Sequence, residues 1–302
     1  MNSTERLKGI DVFVAAAAAG SFAAAAERLN LTGSAVGKSI ARLEARLGTR
    51  LFERTTRTLR LTDAGTAFHR VCTRVLEDIE SAERVLSAGS DEPSGRLRID
   101  LPATFGRRKA MAPLMAFAGD HPAVQLHVSF TDRFVDIVDE GIDLAVRIGG
   151  ADVWPASLGH RFLGHERLVF CASPAYLAQR GVPLAVADLA GHDAVGYGRA
   201  DGATSPWLIS AGAAPTERRV ADSRIVVGDG EALLGAVIAG LGVAQLATWL
   251  ADAALQAGQL VPILPGHDRD GLPLHIVWPR SKQLLPKVDS VLNHLTRQLQ
   301  IR

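Results

Sequence analysis

The chain has 302 residues, of which 47% are hydrophobic and 22% charged, and its formal net charge is +1. This composition excludes an intrinsically disordered protein, and the length allows about two domains of roughly 150 residues each. The two cysteines, Cys72 and Cys171, fit neither a disulfide framework nor a Cys/His metal motif. We therefore expect no metal and no cofactor.

The sequence predicts neither a targeting segment nor a membrane helix. No stretch reaches the roughly 18 continuous apolar residues that a membrane span needs. The run from Ile10 to Ala26 has the alanines of a secretory signal, but Asp11 interrupts it and alanine supplies little hydrophobicity. We therefore expect a cytoplasmic protein without a membrane partner.

Three helices are predicted before residue 49. The first has apolar residues at helical spacing behind a cap at Ser3 or Thr4, namely Leu7, Ile10, Phe13, Val14 and Ala17. Ser21 and Thr32 are predicted to cap the next two helices, and Gly48 ends the third. Their inward faces are Phe22, Ala25, Ala26 and Leu29, and then Val36, Ile40, Leu43 and Leu47. Two short helices joined by a tight turn form a helix-turn-helix.

Positive charge is concentrated in this region. Between residues 28 and 62 there are eight basic side chains, against Glu44 and Glu53. The segment from Leu51 to Leu61 alternates around a basic centre and predicts a hairpin wing, or alternatively a solvated basic loop. We expect the third helix to enter the DNA major groove and the wing to follow phosphates or the minor groove. The predicted DNA contacts are Arg28, Thr32, Ser34, Lys38, Arg42, Arg54, Arg57 and Arg60. Because Gly33 and Gly37 cannot read bases, phosphate contacts and DNA shape should carry much of the binding.

A long helix is predicted from the cap Thr62 onward, because no proline follows before Pro93. Its apolar residues are spaced 4, 3, 4, 3 and 4 apart, as in a two-stranded coiled coil, and are Phe68, Cys72, Val75, Ile79, Ala82 and Leu86. We expect this seam to form a homodimer, whose paired recognition helices read an interrupted inverted repeat of double-stranded DNA. The alternative is a helix that docks on its own domain.

Beyond a linker around Ser87 to Ser94, strand-like and helical runs alternate. The predicted strands are Leu97 to Leu101, Val124 to Phe130, Asp143 to Ile148, Arg167 to Cys171, Ala194 to Tyr197, Arg224 to Val227, Val243 to Leu246 and Leu274 to Trp278. The predicted helical runs are Arg107 to Ala118, Asp132 to Glu140, Asp229 to Ala239, Thr248 to Ala257 and Pro286 to Leu299. Such β-then-α units predict a mainly parallel sheet with a ligand site beyond the carboxyl ends of its strands.

The first 65 residues resemble the N-terminal signature of LysR-type transcriptional regulators. The matching residues are Phe13-Val14, Gly20-Ser-Phe22, Ala24-Ala-Ala26, Leu29, Ser34-Ala-Val36, Ile40, Leu43-Glu44, Leu47-Gly48, Arg50-Leu-Phe52, Arg54 and Leu61-Thr62-x-Ala64-Gly65. The chain departs from the family at Gly33 and Gly37. The resemblance implies a winged helix-turn-helix at 1–62, a linker helix at 63–90 and an effector domain at 91–302, in a dimer or tetramer.

The resemblance further implies an α/β effector domain like a periplasmic binding protein, with a cleft between two lobes. Lobe I would span about 95–164 and 266–302, and lobe II about 165–265. By position, the cleft-lining residues are Pro102, Ala103, Thr104, Phe105, Thr131, Asp132, Arg147, Ile148, Gly149, Tyr197, Trp207, Asp229 and Gly230. Hydroxyls, helix N-termini and Arg147 favour an anion such as a carboxylate. Alternatively, Arg147 pairs with a neighbouring acid.

Two other functions compete with a transcription regulator controlled by a small molecule. An α/β enzyme finds little support, because the chain has no G-x-S-x-G or H-E-x-x-H motif and no complete G-x-G-x-x-G. His160 and His165 are five residues apart in a strand-like region, so we expect them on opposite faces of the sheet. Cys171 lies in an apolar run and is interpreted as packing. A transport receptor would share the two lobes, but the basic N-terminal segment favours the regulator.

Overall fold

A computed structural model describes residues 7–54, 59–88, 92–150, 153–209, 216–299 and 301 of the protein. Within these ranges, the side chains at 54, 81, 82 and 84–88 are not described. The chain divides into two compact units, which span residues 1–90 and 91–302.

The N-terminal unit begins with three helices, α1 (Ile10–Ala19), α2 (Phe22–Leu29) and α3 (Gly33–Leu47). The predicted caps are present, since Ser21 Oγ accepts from the Ala24 N–H at 3.1 Å and Thr32 Oγ1 accepts from the Ala35 N–H at 3.2 Å. The prediction that α1 includes Leu7 was wrong. Gly9, with φ of 78°, breaks the helical path before Ile10, and the proposed caps at residues 3 and 4 lie outside the described residues.

An aromatic cluster forms the centre of this unit. Phe13 is fully buried, and its ring centroid lies 5.4 Å from that of Phe52 and 5.4 Å from that of Phe68. The inward faces of α2 and α3 pack around it, but the prediction for Leu47 was wrong. This side chain is 40% exposed, because α3 has passed the edge of the core in its last turn.

The predicted wing is a short antiparallel hairpin of β1 (Phe52–Arg54) and β2 (Leu59–Leu61), with Phe52 opposite Leu61. Glu44 of α3 fixes where the hairpin starts. Its carboxylate accepts hydrogen bonds from the backbone N–H groups of Leu51 at 2.8 Å and Phe52 at 3.1 Å. One side chain of α3 therefore orients the wing.

The long helix α4 spans Asp63–Ala88. Thr62 caps it as predicted, because Thr62 Oγ1 accepts from the Gly65 N–H at 2.9 Å. A Cβ atom at Gly65 would lie 2.0 Å from the carbonyl oxygen of Leu51. Only glycine allows the start of α4 to lie this close to the chain that leads into the wing.

The second unit has eleven strands among its described residues. They are β3 (Gly95–Leu101), β4 (Val124–Phe130), β5 (Leu144–Ile148), β6 (Leu158–Ala172), β7 (Ala194–Tyr197), β8 (Trp207–Ile209), β9 (Glu217–Arg219), β10 (Ser223–Val227), β11 (Ala244–Ala247), β12 (Val261–Ile263) and β13 (Arg269–Pro279). The helices are α5 (Ala103–Phe105), α6 (Met111–Asp120), α7 (Pro174–Arg180), α8 (Gly230–Ile238), α9 (Thr248–Gln256) and α10 (Pro286–Gln298). A π-helical turn, Gly106–Ala110, joins α5 to α6.

The main sheet has seven strands in the order β11-β6-β13-β5-β3-β4, with β12 also paired to β6. The prediction of a mainly parallel sheet was wrong for this sheet. Only β3 pairs in parallel, with β4 and β5, whereas β6 and β13 pair antiparallel with each other and with their other neighbours. These two long strands lead the chain from the first lobe into the second and back again, so they run in opposite directions.

The predicted helical run from Asp132 to Glu140 was also wrong, since this segment forms turns. The carboxylate of Asp136 accepts hydrogen bonds from the backbone N–H groups of Val138 and Asp139, at 2.8 and 3.1 Å. A side chain that takes up these donors favours a local turn over a continuous helix.

Two lobes with separate hydrophobic cores result. In the first lobe, β3, β5 and β13 pack against α6 and α10 around Leu101, Phe117 and Val291. In the second lobe, β7 and β11 pack against α8 and α9 around Val195 and Leu246. Because β6 and β13 run through both lobes, the region where the lobes meet is the natural place for a cavity.

Candidate functional site

A row of polar side chains follows the exposed face of α3. Ser34, Lys38 and Arg42 are spaced four residues apart, so they share one helix face, and all three are exposed. Thr32 is exposed at the N-terminus, where its hydroxyl caps the helix and lies 3.1 Å from Ser34 Oγ. Arg28, in the last turn of α2, is exposed as well. This face offers hydroxyls, cations and a helix N-terminus to an anionic partner.

The wing contributes less that can be described. Arg60 is exposed on β2, opposite Glu53 of β1. The backbone of Arg54 belongs to β1, but its side chain lies outside the described part, and so does Arg57 as a whole.

The predicted coiled-coil seam on α4 is split between two environments. Phe68 packs on Phe13 inside its own unit, and Cys72 is 2% exposed in the same core. The prediction that these two side chains are free for a partner helix was therefore wrong, because they cover the core of the helix-turn-helix. Burial raises the pKa of the Cys72 thiol to about 11. Val75 is half-buried and Ile79 is exposed, while the side chains of Ala82 and Leu86 lie outside the described part.

A cavity of about 370 Å³ lies where the two lobes of the second unit meet. Ten of the thirteen predicted cleft residues line it: Pro102, Thr104, Phe105, Thr131, Asp132, Arg147, Ile148, Tyr197, Trp207 and Gly230. Some of these residues follow the carboxyl ends of β3 and β4. The others belong to β5, to the end of β7, to β8 and to the start of α8. The cavity therefore occupies the predicted edge of the strands, although the sheet is mixed.

The other three predicted residues do not line the cavity, but each is a chain neighbour of a residue that does. The backbone N–H of Ala103 donates to Asp132 at 2.9 Å. Gly149 takes a positive φ of 80° directly after β5. Asp229 caps α8 through the Ala232 N–H, also at 2.9 Å.

Sequence reasoning missed much of the apolar wall and several polar residues. The missed lining residues are Phe134, Glu166, Leu168, Val195, Arg199, Ser205, Pro206, Leu208, Arg218, Leu233, Gln245, Leu246, Ala247, Trp249, Leu250 and Leu272. Seven of these sixteen come from β6, β11 and the beginning of α9. The sequence did contain one indication of these residues. The predicted strand ends at Leu246 and the predicted helix begins at Thr248, and junctions of this kind lie at the edge of the cavity.

The sequence left two roles open for Arg147, contact with an anionic ligand or pairing with a neighbouring acid. In the structure it pairs with an acid. Its Nη1 lies 2.6 Å from Oδ1 of Asp100, and the two side chains are 6% and 3% exposed. Asp100 also accepts a hydrogen bond from Ser129 Oγ at 2.6 Å. The second terminal nitrogen of Arg147 is buried, and no residue in the described part accepts a hydrogen bond from it.

Burial also shifts the pKa values of two other side chains in the cavity wall. Burial, together with the negative charge of Asp132, raises the pKa of Tyr197 to about 12, and its hydroxyl lies 3.5 Å from Oδ2 of that aspartate. Burial also raises the pKa of Glu166, whose carboxyl accepts a hydrogen bond from Trp249 Nε1 at 2.9 Å. The folded protein therefore favours the neutral form of both groups.

Polar contacts join the lobes beside the cavity. Asp229 Oδ2 accepts from Thr104 Oγ1 at 3.3 Å and from Arg107 Nη2 at 3.2 Å. Arg107 also reaches Glu231 at 3.1 Å, and Arg108 reaches the same carboxylate at 3.3 Å. These side chains follow β3 in the first lobe and begin α8 in the second. They are positioned to respond to a change in the distance between the lobes.

The described residues hold few other groups with the chemistry of a catalytic or metal site. Within these ranges, no group of three or more His, Cys, Asp or Glu side chains is arranged to hold a metal ion. The prediction that His160 and His165 face opposite sides was wrong. A bulge in β6 leaves His160 beside His275 and His165 beside Phe162, and the rings of Phe162 and His275 contact each other. Burial raises the pKa of Cys171 to about 12. No described helix has the length and apolar character to cross a membrane.

A small helix-turn-helix unit joined to a two-lobed domain with an apolar cavity defines a class of ligand-responsive DNA-binding regulators. Residues 7–66 match the family of bacterial regulatory helix-turn-helix proteins of the lysR type, and residues 90–300 match the LysR substrate binding domain. The chain belongs to the LysR family of transcriptional regulators. It is a DNA-binding regulator with an effector-binding domain and not an enzyme.

Individual relatives support this assignment along the whole chain. A helix-turn-helix transcriptional regulator of Haemophilus influenzae is 33% identical over 95% of this chain and 98% of its own. The transcriptional activator AaeR of Escherichia coli is 29% identical over 97% of this chain and 93% of its own. The solved structure of CrgA, a LysR-type regulator from Neisseria meningitidis, is 27% identical, with full coverage of both chains and a TM-score of 0.62.

Proposed function

We propose that α3 and the wing bind double-stranded DNA and that a small molecule in the interlobe cavity controls this binding. The observation that carries the DNA part is the exposed row of Ser34, Lys38 and Arg42 on one face of α3. A helix of this kind fits the major groove, where Ser34 and Lys38 reach base edges. Arg28 and the arginines of the wing then neutralise flanking phosphates, which makes the affinity depend steeply on salt.

The effector part is supported by the composition of the cavity wall. Most of the lining residues are apolar, among them leucines, Phe105, Trp207 and Trp249, and the buried polar groups are few. Sites of this kind hold a mainly apolar small molecule and orient it through a small number of hydrogen bonds. The unpartnered Nη2 of Arg147 favours an oxygen acceptor on that molecule. Both the anion or carboxylate that the sequence predicts and a neutral carbonyl compound carry such an oxygen.

We further propose a homodimer through the middle of α4, and a tetramer built from two dimers. Val71 and Ile79 are 42% and 38% exposed on this helix, and Val75 lies between them at helical spacing. Apolar residues on one exposed helix face are stabilised when a second helix covers them. Because such a regulator acts on chromosomal DNA, we place it in the cytoplasm.

The proposed mechanism is a population shift. An effector that binds more tightly to one arrangement of the lobes favours that arrangement by its difference in affinity. The contacts of Thr104, Arg107 and Asp229 change with the distance between the lobes, so they report the bound state to the rest of the domain. DNA bending and half-site contacts would follow. A transport receptor, the competing function, has no need of the basic face of α3.

The DNA part is tested with two substitutions that remove one charge each. Lys38→Ala should lower affinity for the chain's own upstream DNA while leaving affinity for unrelated DNA nearly unchanged, with about 1–3 kcal/mol of lost discrimination. Arg54→Ala should weaken binding to all sequences and reduce the salt slope by about 1. Arg70→Ala, at an exposed position on α4, is the matched control. Unchanged affinity in both test variants would contradict the proposed docking.

The effector part is tested with Thr104→Ala. This hydroxyl lines the cavity and donates to Asp229 of the other lobe, so its loss should reduce the response to an effector. Affinity for DNA in the absence of effector should stay at the wild-type value. A variant that loses DNA binding and effector response together would assign Thr104 to folding instead.

A further inference from the structure

No arginine of the cavity wall among the described residues is both buried and without a carboxylate partner. Three arginines line the cavity, namely Arg147, Arg199 and Arg218. Arg147 is held by Asp100 at 2.6 Å inside the protein, so the pair carries no net charge. Arg199 is paired with Asp201, and both are half-exposed. Arg218 is exposed on β9, where water screens its charge.

The helix N-termini at the cavity are also occupied. The first N–H of α5, at Ala103, donates to Asp132 at 2.9 Å. At the start of α8, Asp229 accepts from the Ala232 N–H at 2.9 Å, and this bond lowers the pKa of the aspartate. A helix N-terminus attracts an anion because its N–H groups lack partners. Here aspartates of the chain take that place.

An acidic side chain of the wall also disfavours an anionic ligand. Asp132 faces the cavity with its carboxylate, and its partners there are an amide and the hydroxyl of Tyr197, which carry no charge. Glu166 is 8% exposed, lines the same space and favours its neutral form, so it supplies no charge for a ligand. A carboxylate that entered would meet the negative charge of Asp132 without gaining an unpaired buried cation. Moving a charge into such a site is costly when no counter-charge receives it.

Arg147 supplies a buried hydrogen-bond donor that a neutral acceptor can use. Nη2 of Arg147 is buried, and it has no hydrogen-bond partner in the described part of the chain. A carbonyl oxygen can accept from this N–H without disturbing the neutral pair with Asp100. We propose that the effector is an uncharged molecule with an apolar, ring-containing body and a carbonyl oxygen that binds beside Arg147. This inference rests on the proposed function, in which the cavity is the effector site.

The test compares probes that share a skeleton and differ in charge. Benzoate with benzamide and phenylacetate with phenylacetamide are titrated into the full-length protein at pH 7.5. Binding is followed by the fluorescence of Trp207 and Trp249, which line the cavity, and by the shift of the melting temperature. We expect each amide to bind at least tenfold more tightly than its carboxylate.

Asp132→Asn supplies the second arm, because asparagine keeps an oxygen for the Ala103 N–H and removes the charge. Carboxylate affinity should rise at least tenfold in this variant, whereas amide affinity should stay within about twofold, since a neutral ligand feels little change. Carboxylates that bind wild type as tightly as the amides would overturn the inference and leave the effector site intact. If no probe binds either protein while DNA binding is normal, the cavity is not the effector site, and the inference falls with it.

Discussion

Gly230, the first residue of α8, lies where the second lobe touches the first. A Cβ atom there would lie 3.1 Å from Oγ1 of Thr104 and 3.3 Å from its Cβ and Cγ2. Gly230→Ala therefore inserts a methyl group into an interlobe contact that is already closed. Overpacking of this kind costs about 1–3 kcal/mol. Because about 1 kcal/mol changes the melting temperature of a domain of 150–250 residues by about 2–4 °C, the loss is measurable.

The same helix supplies a matched control. Gly235 is exposed, and a Cβ atom there would meet nothing within 4 Å. Gly235→Ala should stabilise the protein by about 0.5–1 kcal/mol through helix propensity alone. Thermal unfolding of both variants, followed by calorimetry, separates steric contact from propensity. If Gly230→Ala is as stable as Gly235→Ala, the lobes are not packed as described, and the link between lobe distance and the site would be refuted.

Three further predictions concern groups that are held in unusual surroundings. Burial raises the pKa of Glu166, so its ionisation opposes folding above the ordinary value of 4.5; Glu166→Gln should raise the melting temperature at pH 7 and change it little near pH 4. Ile79→Glu should shift sedimentation from dimer to monomer, whereas Glu80→Gln, at the next exposed position, should not. Glu44→Ala leaves two backbone N–H groups of the wing without their acceptor, which should cost about 1–3 kcal/mol in urea unfolding; wild-type stability would show that the wing needs no anchor.

Local chemistry made much of the N-terminal unit predictable. Ser21, Thr32 and Thr62 cap helices because their hydroxyls reach a backbone N–H three residues ahead, a contact that needs no information from the rest of the chain. The start of α1 was missed for a similar reason. Gly9 takes a left-handed conformation there, and its residue type allows that conformation without requiring it.

Distant contacts limited the prediction of the second unit. Asp100 and Arg147 are 47 positions apart, and only the pairing of β3 with β5 brings them together. Sequence reasoning could therefore name the pairing of Arg147 with an acid as an alternative but could not choose it. Glu166 was missed because it lies just before the predicted strand Arg167 to Cys171, and its partner Trp249 follows 83 residues later.

The directions of the strands were predicted incorrectly because they also depend on contacts between distant parts of the chain. Alternating β and α runs favour parallel neighbours, yet β6 and β13 pair antiparallel with the strands beside them. These strands are 15 and 11 residues long, and in the sequence each was recognised only as a five-residue run. The carboxyl ends of β3 and β4 still meet at the cavity, which is why most of the predicted lining was placed there.

The basic helix-turn-helix and its wing are proposed to hold duplex DNA with a large share of the affinity coming from phosphate contacts. This proposal is tested most directly by fluorescence anisotropy of the full-length protein with its own upstream DNA over a series of salt concentrations. We predict a linear fall of log affinity with log salt concentration, and a slope that becomes shallower by about 1 in Arg42→Ala. Affinity that does not change with salt, or an equal slope in the variant, would contradict this account.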